Sequence, residues 1–230
     1  MKVRILAITI SIYLTFYHSN VMKNMLIAFI SQKGGVGKST LARGFATGAA
    51  LAGYSVKIAD LDTQQGTSSD WHRIRLDRGY ESIGSVEVFG KASAAIQQAQ
   101  HHDFLIVDGA ARASAATLEI AQAADLVIIP TCASRDDLLP AIKLAHELQK
   151  KGVERDRMVL GLTRVSTKSE IEDARAFIEE SGNRCLAGYL PEKPGYRQAQ
   201  NEGFSILETR FQSLNNKANE LITSILSFLS

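Results

Sequence analysis

The chain is poor in cysteine, proline and tryptophan, with two, four and one in 230 residues. Cys132 and Cys185 lie far apart in no CxxC or other metal-type spacing, which argues against a disulfide framework and a thiolate metal centre. That usage points to a reducing compartment, the cytosol. An excess of one charge is also lacking: 26 basic residues face 24 acidic ones, for a formal net charge of +2. Any nucleic-acid surface must then be a local cluster rather than a property of the whole molecule. Internal repeats, low-complexity tracts and linkers are missing too, so one domain is expected, and 45% hydrophobic residues suffice to bury its core.

A hydrophobic leader is only half present. "MKVRILAITISIYLTFYHSN" sets Lys2 and Arg4 before an apolar run to Tyr17, but no small-residue cleavage site follows and the run is short for a membrane span. The expectation is an N-terminal extension, residues 1–24, poorly ordered or upstream of a start at Met22 or Met25. Residues 25–230 are expected to form the domain.

What the chain does have is alternation. Nearly continuous apolar runs at Leu26–Ser31, Ser55–Asp60, Phe104–Asp108, Leu126–Pro130 and Met158–Thr163 read as strands buried on both faces. A shorter strand is expected at Ser85–Phe89, and helices at Ser39–Ala52, Lys91–Gln100, Leu138–Lys151 and Ser169–Ser181. The fold class is therefore α/β: a mostly parallel, twisted sheet with helices on both faces and ligands at the carboxyl ends of the strands. Near the C-terminus, Leu221, Ile222, Ile225, Leu226 and Leu229 share one helical face. No lysine or arginine follows Lys217, so that helix is expected to pack on the domain rather than to seek a membrane.

The first strand leads into "SQKGGVGKST" and then a helix, the setting of a phosphate-binding loop. Glycines let backbone N–H groups turn in around phosphate, and the helix N-terminus adds a favourable dipole. Gly34, Gly35, Val36, Gly37, Lys38, Ser39 and Thr40 are the expected nucleotide contacts. Lys38 would neutralise the β- and γ-phosphates, and the Ser39 hydroxyl would ligate Mg2+. An apolar strand ending in Asp108 has the layout of a second magnesium-binding carboxylate, and Gly109 would give the segment after it freedom to move.

One position departs from the ordinary loop: Gln32 stands where its first glycine belongs, followed by a second lysine, Lys33. With that deviation the sequence resembles the ParA/MinD group of ATPases over most of residues 25–230, most nearly its small plasmid-encoded ParF-like branch. The resemblance implies that Lys33 reaches across a dimer interface to the partner's ATP, making dimerisation depend on nucleotide. It reads "IADLDTQQG" as the family's DxDPQ segment with Thr63 for proline, so that Asp60 supports the magnesium shell and Asp62 orients the attacking water. Read without it, the pair is as readily turn or capping aspartates as functional ones, and Asp136 and Asp137 are an N-cap and first-turn acid of the next helix. Leu190 and Pro191 fall where the family carries its base-contacting loop.

The implied function is an ATP-dependent partition ATPase, catalytic residues Lys33, Lys38 and Asp62, with ATP and Mg2+ as cofactors. It would be cytoplasmic and nucleoid-associated, a homodimer on ATP, binding DNA without sequence preference and stimulated by a ParB-like or ParG-like centromere-binding protein. Arg164, Lys168, Arg184, Lys193 and Arg197 are the candidate DNA contacts. The alternatives are the same ATPase with another cargo, such as a chemoreceptor cluster or conjugation complex, or a MinD-like membrane-cycling regulator. A nitrogenase-reductase-like enzyme would need paired cysteines for an iron–sulfur cluster, and Cys132 and Cys185 do not supply that setting.

Overall fold

The computed structural model describes residues 24–110 and 115–229; apart from Asn24, the expected N-terminal extension lies outside the described residues. Seven strands among them form one parallel sheet: β1 (Met25–Phe29), β2 (Val56–Asp60), β3 (Ser85–Val88), β4 (Phe104–Asp108), β5 (Leu126–Thr131), β6 (Met158–Val165) and β7 (Leu190–Pro191), in the order β3-β2-β4-β1-β5-β6-β7. The helices are α1 (Lys38–Leu51), α2 (Thr67–Asp77), α3 (Ala92–Ile96), α4 (Ala115–Ala123), α5 (Arg135–Lys150), α6 (Lys168–Glu180), α7 (Pro194–Asn201) and α8 (Gln212–Leu226).

The apolar runs read as strands are strands because both of their faces are covered. Alternate residues of β1, with Ile30 just after it, enter two separate cores: Ile27 and Phe29 pack with Phe45, Trp71 and Ile222, whereas Leu26, Ala28 and Ile30 pack with Leu138, Leu144 and Ile178. The edge strand β3 is mostly exposed and is tied to β2 by an ion pair between Lys57 and Glu87 at 2.7 Å. Helix α8 buries Leu221, Ile222, Ile225 and Leu226 in the first core, as its pattern predicts. No described helix is long and apolar enough to cross a membrane.

Several boundaries differ from the sequence expectation. The helix foreseen at Lys91–Gln100 is a short α3 continuing into a 3-10 turn, Gln97–His101, and α5 begins earlier than foreseen, at Arg135. Helices α2, α4 and α7 and the short β7 were not foreseen. In α2 the inward positions are Ser68, Trp71, His72 and Arg75, so its polar sequence hides a buried face.

For the site, register matters most. β2 and β4 pair so that Asp60 lies opposite Asp108, while β1 pairs Phe29 with Asp108. The sheet thus delivers two aspartates, side by side, to the end of the strand from which the phosphate-loop segment departs.

Candidate functional site

A cavity of about 500 Å3 opens at the carboxyl ends of the strands. One wall is Gly34, Gly35, Gly37, Lys38, Ser39 and Thr40; the others are Asp62, Gln65 and Thr67, Thr163 and Arg164, and the segment Leu190–Lys193 with Tyr196, Arg197 and Gln200. The loop therefore faces Asp62 and the Leu190–Pro191 strand across one cavity. Val36 differs in that its side chain is buried.

Backbone geometry explains the glycines. Gly35 (φ 76°) and Gly37 (φ 91°) are left-handed, Gly37 at the N-cap of α1, and a Cβ on Gly37 would come within 3.2 Å of Thr163 Cγ2. Thr163 Oγ1 donates to the Val36 carbonyl at 2.8 Å and fixes the loop from β6. Gly109 has a steric reason: a Cβ there would lie 3.0 Å from the Phe29 carbonyl oxygen and 2.9 Å from Ile30.

Lys38 is largely buried, which lowers its pKa, and its Nζ donates to the Lys33 carbonyl at 3.1 Å. Lys33 is held elsewhere. Its ammonium is ion-paired with Asp137 of α5 and donates to the Asp136 carbonyl at 3.2 Å. That carbonyl is free because Pro140, inside α5, has no N–H to return to it. The bond to Asp137 raises the Lys33 pKa; in Asp137, burial pushes upward but the bonds from Lys33 and Ser134 prevail and the pKa falls. Ser134, not an aspartate, occupies the N-cap, with Asp136 and Asp137 in the first turn.

Behind the cavity wall sit Asp60 and Asp108, 0% and 2% exposed. Asp60 accepts from the backbone N–H groups of Asp62 at 3.0 Å and Ser68 at 2.9 Å, so it fixes the loop that carries Asp62. Asp62 in turn accepts from the N–H of Gln65 at 3.1 Å, so it is a turn aspartate and a cavity residue at once. Ser68 Oγ donates to Asp108 Oδ2 at 2.6 Å, and the other oxygen, Oδ1, is buried with no partner. Burial, with Asp60 beside it, pushes the Asp108 carboxyl up to about 6, against the pull of the Ser68 and Ser39 hydroxyls and of Arg43.

The donor set suits Mg2+. A buried, unpartnered carboxylate oxygen, a second carboxylate beside it and the Ser39 hydroxyl are hard oxygen donors, and an orphaned acceptor of this kind needs a cation or water. Ser39 Oγ lies 3.2 Å from Thr67 Oγ1 at the head of α2. Thr67, Ser68 and Thr163 all bear on this site, yet none was singled out from sequence; the polar head of α2 next to the DxD segment was the available signal.

The five basic candidates do not form one patch. Arg164, Lys193 and Arg197 line the cavity, and Glu192 joins two of them, 2.7 Å from Arg164 Nε and 3.6 Å from Arg197 NH1. Arg164 also donates to the Gly35 carbonyl at 3.2 Å from a left-handed backbone (φ 54°). Lys168 is exposed beside Glu172, whereas Arg184 pairs with Asp156 and stacks 4.3 Å over Phe228.

The profile of the CobQ/CobB/MinD/ParA nucleotide binding domain matches residues 27–206. Maintenance of carboxysome distribution protein A from Gloeobacter kilaueensis is 30% identical over 192 residues, covering 80% of this chain and 85% of that protein. The septum site-determining protein MinD of Pyrococcus horikoshii, solved with Mg-ADP, superposes with a TM-score of 0.70 at 17% identity, over 87% of this chain and 95% of that one. A plasmid partition protein of Borrelia burgdorferi bound to AMPPNP gives 0.65 at 17% identity, over 88% and 98%.

Proposed function

We propose that this chain, which belongs to the CobQ/CobB/MinD/ParA nucleotide-binding family, is an ATPase that closes into a homodimer on ATP and uses that switch to position a large intracellular cargo. The observation that carries the reading is Lys33. A second loop lysine, beside a complete phosphate loop, rests on α5 instead of on its own nucleotide cavity.

Within one subunit, the N–H groups of Gly35 to Ser39 and the Lys38 ammonium bind the phosphates, and Arg164 and the Leu190–Lys193 segment close the base side. Mg2+ held at Ser39 and Asp108, with Asp60 behind, would offset phosphate charge. Asp62 orients the attacking water at the cavity edge. Lys33 leaves Asp137 and compensates phosphate charge across the dimer interface, so that the dimer is stable only while ATP is intact.

The sequence alone favours plasmid partition over another cargo. The relative at 30% identity, named for carboxysome distribution, favours the reverse order, and a protein assembly is the better reading of the cargo. Burial of the apolar face of α8 weighs against membrane cycling.

The test is light scattering and DNA binding with ATP, with ADP and without nucleotide, over a salt series. Expected are an ATP-selective dimer and salt-sensitive, sequence-independent DNA binding, both lost in Lys33→Gln. Normal dimerisation and hydrolysis by Lys33→Gln would overturn the trans-lysine role. For the cargo, a fluorescent fusion of the chain should track protein-body foci; tracking a plasmid marker instead would restore partition.

A further inference from the structure

Arg43 lies on α1 with Lys38 and Ser39 and is only 8% exposed. Its Nε donates to Ser68 Oγ at 3.1 Å, and that hydroxyl donates to Asp108. Its NH1 reaches Gln200 Oε1 at 3.4 Å on α7, and the guanidinium lies 5.4 Å from the Trp71 ring centre. No ion pair of Arg43 with a carboxylate is found among the described residues. By contrast, its neighbour Arg75, also beside Trp71, is neutralised by Glu208 at 2.8 Å.

A buried guanidinium without an ion-pair partner is costly unless charge nearby compensates it. The nearest such charge is the buried pair Asp60 and Asp108, which face each other across β2 and β4 and repel. Ser68 stands between, taking a hydrogen bond from the cation and giving one to the anion. The arrangement balances negative charge in a place where the proposed function needs a divalent ion.

We propose that Arg43 is the resident counter-charge of the magnesium site: through Ser68 it steadies the two aspartates when no metal is bound, and it opposes the divalent ion when one arrives. It is a positioning residue that sets how much Mg2+ the site requires, and it favours release of the ion with spent nucleotide. The inference rests on reading Ser39, Asp60 and Asp108 as the magnesium site.

The test titrates MgCl2 into the full chain with a fluorescent ADP at pH 8, for wild type, Arg43→Met, Arg43→Gln and Arg43→Lys, with melting curves in EDTA and in Mg-ADP. Half-saturating Mg2+ should fall about five- to tenfold in the Met and Gln variants, one unit charge acting on a divalent ion at a high effective dielectric. Arg43→Lys should stay within about twofold, because charge rather than fork geometry is the cause. The neutral variants should lose more melting temperature in EDTA than in Mg-ADP, and folding only with Mg-ADP would also support the proposal. Equal Mg2+ dependence in all four proteins, a rise in Arg43→Met, or failure to fold under both conditions would overturn it and leave Arg43 a packing residue. Absence of any Mg2+ dependence in wild type would instead overturn the magnesium site itself.

Discussion

Asp108→Asn should make the metal-free protein more stable while destroying its magnesium response. In the folded chain burial lifts this carboxyl from 3.8 to about 6. Between those values the native state holds a proton that the unfolded state has released, so wild-type stability falls as pH rises through the window and stays lowered above it. At about 1.36 kcal/mol per pH unit the ionised side chain costs roughly 3 kcal/mol at pH 8. Asparagine removes that cost and can still accept from Ser68 Oγ, but its amide nitrogen would occupy the place of the unpartnered Oδ1, a buried unsatisfied donor worth about 1 kcal/mol. The net gain is about 2 kcal/mol at pH 8, shrinking to about zero near pH 4.5, where the native wild-type carboxyl is protonated. Urea unfolding followed by circular dichroism in EDTA at pH 4.5, 6 and 8 measures it. A variant less stable than wild type at pH 8, or a stability difference independent of pH, would refute the reasoning. With Mg2+ and ADP the ranking should reverse, because only wild type gains from the ion.

Three further perturbations probe the scaffold around the site. Thr163→Val keeps volume but removes the bond to the Val36 carbonyl, and should weaken ADP binding about fivefold by calorimetry, roughly one hydrogen bond, with melting temperature little changed. Gly44→Ala sets a Cβ 2.7 Å from Ile206 Cγ1, so despite better helix propensity it should cost about 1–3 kcal/mol in urea unfolding, recovered in part by Ile206→Val. Arg75→Leu strands the largely buried Glu208 carboxylate, bound at 2.8 and 2.9 Å, and should cost about 3 kcal/mol; the double variant with Glu208→Leu should be more stable than the single one.

The Gln32–Lys33 deviation, the phosphate loop and the apolar strands were legible because each is a local property. Continuous hydrophobicity means a strand covered on both faces, and glycines before a helix mean a loop that can wrap phosphate. Helix α2 was not legible, since its polar inner face pairs with other elements: Trp71 with the Phe204 carbonyl and Arg75 with Glu208. Helix α7 and β7 are short, and β7 gains strand character from its pairing with β6. The basic candidates illustrate the same limit, because the sequence offers five cations and folding turns three of them toward the cavity.

By itself, then, the sequence determined strands β1 to β6 and the helices α1, α5, α6 and α8 around a glycine-rich loop, and which side chains could carry phosphate and metal chemistry, for those follow from periodicity and residue type. Only the tertiary structure decided how the charges meet. Strand register set Asp60 against Asp108, α2 brought Ser68 between Asp108 and Arg43, and the N–H that Pro140 lacks left the Asp136 carbonyl open to Lys33. Those contacts join residues distant in the chain, and a spacing rule read along one segment cannot express them.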